Sequence, residues 1–587
     1  MSAALTASEP SVRYLATREA PLLAQFDLIA QSPGGIARLR ELILSLAVQG
    51  KLVPQDPNDE PASALLERIR AEKARLVREG KISKGKPAAE IPDEEKPIGL
   101  PLGWSCARLA DILTIWNGRA YSKPELLDAG TPVLRVGNLF TSNHWYYSDL
   151  QLAPEKYCER GDLLYAWSAS FGPFVWSGPK AIYHYHIWKL EPFRKEDFNR
   201  DYLCLFLSEK TQEIRASGHG VSMLHMTKEK MEKIIVPLPP LAEQSRIVAR
   251  AEELMALCDA LEAKGKLQDE QHARLVGTLF DSLAKSESAH ALAENWQRVA
   301  AHFDLLLDRP AAVDALEQTI LQLAVRGLLV PQDPADEPAS VLMQRIRAKK
   351  SCLIAAGKAK PEKPFNQIPE NEDGSAPEGW TTVLFPELCS IGGGATPSKN
   401  KADYWDGDIP WVSPKDMKVE FIADAQDHVS LIALEETSLS LIPVDSLLIV
   451  VRGMILAHSF PVSINQVRVT INQDMKSLIP VFPELTPYLA LVCKGFKEKI
   501  LGLVEHSSHG TCKLDSEKLL SFRFGLPPLE EQSRIVIRVD ELRSLCAQLR
   551  QRLKDAHKTQ AFLADTSLET AMHMSSCMLF NGTNRTN

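Results

Sequence analysis

The sequence predicts a multidomain α+β protein. Two mixed α/β blocks, each built on a twisted sheet, alternate with helical segments that carry a coiled-coil-like seam, and the whole is a tandem duplication. Three observations predict this. PPLAEQSRIV at 239–248 returns as PPLEEQSRIV at 527–536, nine of ten positions at an offset of 288. LVPQDPNDEPAS at 52–63 returns as LVPQDPADEPAS at 329–340, eleven of twelve positions at an offset of 277. Between these echoes the two halves differ and become rich in short β-type runs. A period this long exceeds any stacked solenoid repeat, so the duplicated unit is a domain. At 587 residues the chain is also too long for one core.

Taken in order, a lead of residues 1–35 precedes a helical segment, 36–99. Within it LILSLAVQGK (42–51), matched by TILQLAVRGL (319–328), reads as a short amphipathic helix stopped by Gly50 and by Gly327 in the second copy. Beyond each PQDP turn, PASALLERIRAEKARLVREGK and PASVLMQRIRAKKSCLIAAGK read as helices with basic tails. Gly103-Trp104 and Gly379-Trp380, 276 apart, open the variable blocks 100–237 and 377–525. The runs PVLRVGNLF, DLLYAWSAS, SLLIVVRGM and VRVTINQDM, divided by Gly, Pro, Asn and Ser, read as their strands. Proline cannot continue a strand ladder or a helix interior, so Pro239-Pro240 and Pro527-Pro528 mark the corners where the sheets end. The helical regions 238–376 and 526–587 follow. Apolar residues recur there at steps of three and four, at Ile247, Val248, Ala251, Leu254, Leu257, Cys258 and Leu261. The second copy gives Ile535, Val536, Val539, Leu542, Leu545, Cys546 and Leu549. Glu243 and Glu531 suit the first turn of these helices.

Composition places the chain among soluble globular proteins, at 45% hydrophobic and 24% charged. No apolar run approaches a membrane span, and no secretory signal opens the sequence. Ten scattered cysteines without a CxxC pair point to reduced thiols in a cytoplasmic protein and away from structural zinc.

Several motifs reduce to structure. GKISKGKP (80–87) has phosphate-loop spacing, but Pro87 replaces the magnesium-binding hydroxyl and no strand precedes it. IPDEEK (91–96) is contiguous charge in a Pro-rich linker, and the two C-terminal Asn-x-Thr triplets lack a secretory context. His184 and His186 read as an HxH pair on one face of a strand, without further ligands at metal spacing. There is no cofactor loop, Asn-Pro-Pro-aromatic motif, GxSxG, HExxH or carboxylate pair, so no catalytic residue and no metal site is assigned.

Polar and aromatic loop residues remain. Small hydroxyls, cations, amides and aromatics beside glycine suit close approach to a phosphate backbone and to base edges. In the first block these are Asn117, Arg119, Tyr121, Ser122, Lys123, Arg135, Asn138, Trp167, Ser168 and His219. In the second they are Thr396, Ser398, Lys399, Lys415, Arg452, His509, Thr511 and Lys513.

The Pro-Pro-Leu-x-Glu-Gln corners, the paired LAV(Q/R)G–PQDP segments and GGGATPSKNKADYWDGDIPWVSPKDM together resemble the specificity subunit of type I restriction-modification enzymes. The resemblance implies two target-recognition domains, each reading one half of a split, asymmetric site in double-stranded DNA. It implies helices that pair antiparallel, one pair within 241–350 and the other built from 36–80 plus 531–570. Glu243, Gln244, Arg246, Leu254, Leu257 and Leu261, with Glu531, Gln532, Arg534, Leu542, Leu545 and Leu549, would then form spacer and subunit contacts. Two modification subunits would methylate adenine with S-adenosylmethionine, and two restriction subunits would use ATP and Mg2+. This chain would bind no cofactor and catalyse nothing itself. A coiled-coil scaffold whose variable domains bind protein is the alternative. Charge is the misfit: block 100–236 has 16 Lys/Arg against 15 Asp/Glu, and block 378–525 has 13 against 18. Phosphate affinity of this chain alone should therefore be weak.

Overall fold

The computed structural model describes residues 29–30, 32–82, 91–97, 99–168, 172–217, 226–356, 377–506 and 512–580. The chain divides into two units, Met1–Leu267 with His557–Asn587, and Gln268–Ala556.

In the first unit, α1 (Gly35–Val48) ends just before Gly50, whose φ of +68° only glycine adopts without strain. A Cβ there would also meet the Trp104 ring at 2.9 Å. After the PQDP turn, α2 (Ala62–Arg78) buries Leu65, Leu66 and Ile69 against the sheet domain. That domain opens with β1 (Ser105–Arg108) and closes with β10 (Ile235–Leu238), paired antiparallel with Ser105 opposite Leu238. Two four-stranded sheets lie between. One runs β2 (Leu113–Asn117), β9 (Ile187–Pro192), β6 (Leu163–Ala166), β7 (Gly172–Val175). The other runs β4 (Tyr146–Ser148), β3 (Thr131–Leu134), β8 (Ala181–Tyr183), β5 (Tyr157–Cys158). The helix α3 (Arg200–Ser217) adds Leu203, Phe206 and Leu207 to a core shared with Leu163, Tyr165, Trp188 and Leu190. Past Pro239-Pro240 begins α4 (Leu241–Ala284). Its Ala251 and Cys258 pack with Leu39, Leu42 and Ile43 of α1 and with Ala564.

The second unit repeats the plan. After α5 (Ala289–Ala300), α6 (Pro310–Val325) ends before Gly327 at φ +73°, and α7 (Ala339–Ala355) follows the second PQDP turn. The closing pair is β11 (Thr381–Leu384) with β22 (Arg523–Leu526). A five-stranded sheet runs β12 (Cys389–Gly393), β19 (Met475–Pro480), β16 (Leu447–Val450), β17 (Val462–Asn465), β14 (Phe421–Ile422). A three-stranded sheet runs β15 (Asp427–Val429), β13 (Ile409–Val412), β18 (Thr470–Ile471). The helix α8 (Thr486–Gly495) is buried beneath, and β20 (Val504–His506) pairs with β21 (Cys512–Leu514). The last helix, α9 (Leu529–Phe580), places Ile535, Val539 and Cys546 in one core with α6.

Two expectations change here. Each block holds two main sheets rather than one. The helix pairing also differs from the one the resemblance implied, in which 36–80 pairs with 531–570: α1 lies on residues 251–262 and meets that stretch at 561–565, whereas residues 535–553 pack with α6. Among the described residues no helix is long and apolar enough to cross a membrane, and every described cysteine is a free thiol.

Candidate nucleic-acid interface

A buried polar corner fixes each sheet domain to its long helix. Glu243, 1% exposed, accepts from Trp104 Nε1 at 3.0 Å and from Gln55 Nε2 at 3.1 Å. Gln55 also donates to Gly50 O at 2.6 Å, and Gln244 Nε2 donates to Pro239 O at 3.0 Å. The second corner has the same bonds: Trp380 Nε1 and Gln332 Nε2 donate to Glu531 at 3.0 and 3.2 Å, and Gln532 Nε2 donates to Pro527 O at 2.9 Å. Ion pairs cover each one, Arg246–Asp59 and Arg534–Asp336, both at 2.6 Å. Burial pushes the carboxyls of Glu243 and Glu531 above the ordinary glutamate range. These glutamates and glutamines therefore face inward, joining PQDP turn, Trp and helix start within one unit. On the same helices Leu257 and Leu545 are 50% and 58% exposed, while Leu254, Leu261, Leu542 and Leu549 are half-buried.

The loop candidates fall into groups. Arg119 pairs with Glu125 at 2.5 Å, and Ser122 Oγ donates to the same carboxylate at 2.9 Å. The Ser122 amide and the Arg119 guanidinium hold Glu125 down at about 2. The Arg119 guanidinium lies 5.3 Å from the Tyr121 ring, which stacks on His184 at 6.4 Å. Trp167 lies 6.1 Å from Tyr185. Asn117 and Lys123 are exposed nearby in sequence, and Arg135 is exposed over the Tyr146 ring at 5.2 Å. Asn138 instead braces its own loop, accepting from Arg135 N and donating to His144 O, and Ser168 is buried. In the second domain the Thr396 hydroxyl donates to Gln473 Oε1, and the backbone of Arg452 forms an isolated antiparallel β-bridge with that of Lys513. Ser398, Lys399 and Lys415 are exposed. His219, His509 and Thr511 lie outside the described residues.

One expectation is corrected. His184 and His186 do not share a strand face: β8 ends at Tyr183, and residues 184–186 turn the chain into β9. The alternation in AIYHYHIW imitates a strand because the turn lies between two strands with buried aromatic and branched residues. Among the described residues no cluster of three His, Cys, Asp or Glu side chains is placed to hold a metal ion.

The chain carries two sheet domains on matching corners, each with exposed polar loops. The family described as "Type I restriction modification DNA specificity domain" matches residues 101–269 and 377–556. The chain belongs to the specificity subunits of type I restriction-modification systems, a non-catalytic class with a DNA-recognition role. It is 34% identical to the type I restriction enzyme EcoAI specificity subunit of Escherichia coli, over 92% of this chain and 94% of that one. It is 32% identical to the EcoEI specificity subunit of the same organism over the same shares. A solved chain from a study of complex assembly in the type I R-M system aligns at 18% identity and TM-score 0.42, covering 81% of this chain and 99% of that one.

Proposed function

We propose that this chain reads a bipartite, asymmetric DNA site, one half through each sheet domain. In this reading α4 and α9, 44 and 52 residues long, are the spacers of a duplicated framework that sets the half-sites apart. At ~1.5 Å per residue, α4 alone extends about 66 Å, longer than one DNA turn of ~34 Å. The framework docks two modification subunits that methylate adenine with S-adenosylmethionine. Through them it recruits two restriction subunits that use ATP and Mg2+. One sheet domain is near neutral and the other carries an acidic balance, which leaves much of the phosphate clamp to those partners.

The observation that carries this reading is the pair of corners: the same buried bonds hold two domains whose exposed loops differ. A chain that presents two different readers to one continuous duplex needs that combination. The test is to express the chain with its cognate modification subunit and map methylated adenines by single-molecule sequencing. A split motif of unlike halves with fixed spacing is expected. Methylation at one contiguous motif, or none that depends on this chain, would contradict it.

A further inference from the structure

Two tight turns occupy the same place in the two sheet domains, and none of their six residues belongs to the loop candidates above. Residues 184–186 carry the chain from β8 into β9, with Ile187 N–H donating to His184 O at 2.9 Å. Residues 472–474 carry it from β18 into β19, with Met475 N–H donating to Asn472 O at 3.3 Å. The strand entering each turn runs parallel to its neighbour in matching register, Leu134 opposite Tyr183 and Val412 opposite Ile471.

The backbone braces also correspond. His184 N–H donates to Leu134 O at 2.9 Å, and Asn472 N–H to Val412 O at 3.0 Å. Arg119 N–H donates to Tyr183 O at 3.1 Å, and Ala395 N–H to Ile471 O at 3.0 Å. Trp167 N–H donates to His186 O at 3.1 Å, and Val451 N–H to Asp474 O at 2.8 Å. A glycine approaches each turn so closely that a Cβ on Gly118 would lie 2.2 Å from His184 O, and one on Gly394 2.1 Å from Asn472 O. On this shared backbone the side chains have nothing in common: His-Tyr-His in one domain, Asn-Gln-Asp in the other.

The middle residue is exposed in both turns, Tyr185 and Gln473. Each is oriented before any ligand arrives. The rings of His184 and His186 lie 4.4 and 3.9 Å from that of Tyr185, and Trp167 Nε1 donates to Tyr185 O at 2.8 Å. In the second turn Asp474 N–H donates to Asn472 Oδ1 at 3.1 Å, and Thr396 holds the Gln473 amide. Prior ordering lowers the entropy lost on binding. The chemistry suits base edges in the major groove. A Gln amide matches the N6 donor and N7 acceptor of adenine, and a carboxylate accepts from cytosine N4. Burial, with His186 and Arg135 nearby, pushes His184 down to about 4, so its ring is neutral at physiological pH.

We propose that turns 184–186 and 472–474 are the base-reading elements of the two domains, and that their side chains carry much of the difference between the half-sites. This rests on the reading that each domain binds one half-site of double-stranded DNA. The test uses the full chain with its modification subunit, carrying Tyr185→Ala or Gln473→Ala. Methylome mapping and competition by duplexes with single base-pair changes are the readouts. Each variant should lose about tenfold discrimination at one or two base pairs of one half-site. The other half-site and the spacing should stay unchanged, with Tyr185 and Gln473 acting on opposite halves. Tyr185→Phe and Gln473→Glu carry the same test with less change of shape, the latter shifting preference away from adenine. Undiminished discrimination at every position, or an equal loss of affinity for all sequences, overturns the proposal while leaving the two-half-site reading intact. A wild-type chain that yields no bipartite motif overturns both.

Discussion

The two corners and the two turns belong to the same pair of sheet domains, yet the two copies compare differently at each. At the corners side chains and backbone both recur: Trp104 and Trp380 meet Glu243 and Glu531 at the same 3.0 Å, and Tyr202 and Tyr488 donate to Pro237 O and Gly525 O at 2.7 and 2.8 Å. At the turns only the backbone recurs. A buried network tolerates little change, because each lost partner leaves a desolvated group unpaired. An exposed side chain on a braced turn can change at small cost to stability. The comparison teaches where a duplicated protein is free to diverge.

The largest effect should come from the corners. Trp104→Ala removes a buried ring packed edge-on against Tyr202 at 6.4 Å, and Trp380→Ala does the same beside Tyr488 at 6.3 Å. Each should cost about 3–5 kcal/mol, read as urea unfolding followed by circular dichroism. Clearly unequal losses would break the equivalence of the two corners.

A smaller, pH-dependent effect should follow from Glu243→Gln and Glu531→Gln. Each replaces a double acceptor with a group offering one acceptor oxygen, at about 1–3 kcal/mol. The sign with pH is fixed by the raised carboxyl pKa in the fold. A raised folded-state pKa means the native state binds more protons. This group's contribution is therefore fully present below the unfolded pKa and falls as pH rises through the folded value. Glutamine does not titrate, so the melting temperature of the variant minus that of wild type should increase from pH 5 to pH 8. A flat or decreasing difference would show that the corner carboxyls are not held toward the neutral form.

The smallest effect distinguishes the copies. Arg40 of α1 pairs with Glu262 of α4 at 2.9 Å, whereas at the equivalent positions Glu317 of α6 pairs with Arg550 of α9 at 2.8 Å. The polarity is reversed. Pairing α1 with 529–556, or α6 with the start of α4, would set like charges opposite each other. Arg40 also pairs with Asp259 at 2.5 Å, where the second unit has Ala547. Arg40→Glu should cost about 1 kcal/mol, and adding both Glu262→Arg and Asp259→Ala should recover most of it, since that combination adopts the second unit's polarity. Absence of rescue in a thermal melt would assign the loss to packing.

Much of this was legible beforehand. The glycine stops, the Pro-Pro corners and the seam periodicity follow from local rules, and the closing strands lie beside the Gly-Trp pairs. The inward role of Glu243 and Gln244 was not legible, because an acid in a first helical turn satisfies the helix dipole whether or not it is buried. Its partners Gln55 and Trp104 are 188 and 139 residues away. The turns were hidden by their setting. IYHYHIW and VTINQDM read as continuous strands, and the break appears only once β8 and β18 belong to different sheets from β9 and β19. Aligning the blocks on Gly118 and Gly394 and on the run before each α-helical section would have brought HYH and NQD together.

The central claim is that the two sheet domains are interchangeable readers on equivalent mounts. A chain carrying residues 377–525 in place of 100–237 as well as in their own position, expressed with the modification subunit, tests it most directly by adenine methylome mapping. The two junctions then lie at the corner, one just before the Gly-Trp pair and the other just before Pro-Pro. The expected result is a split motif in which the second half-site occurs twice and the first has vanished. An unchanged asymmetric motif, or an assembled complex that methylates no defined motif, would contradict it.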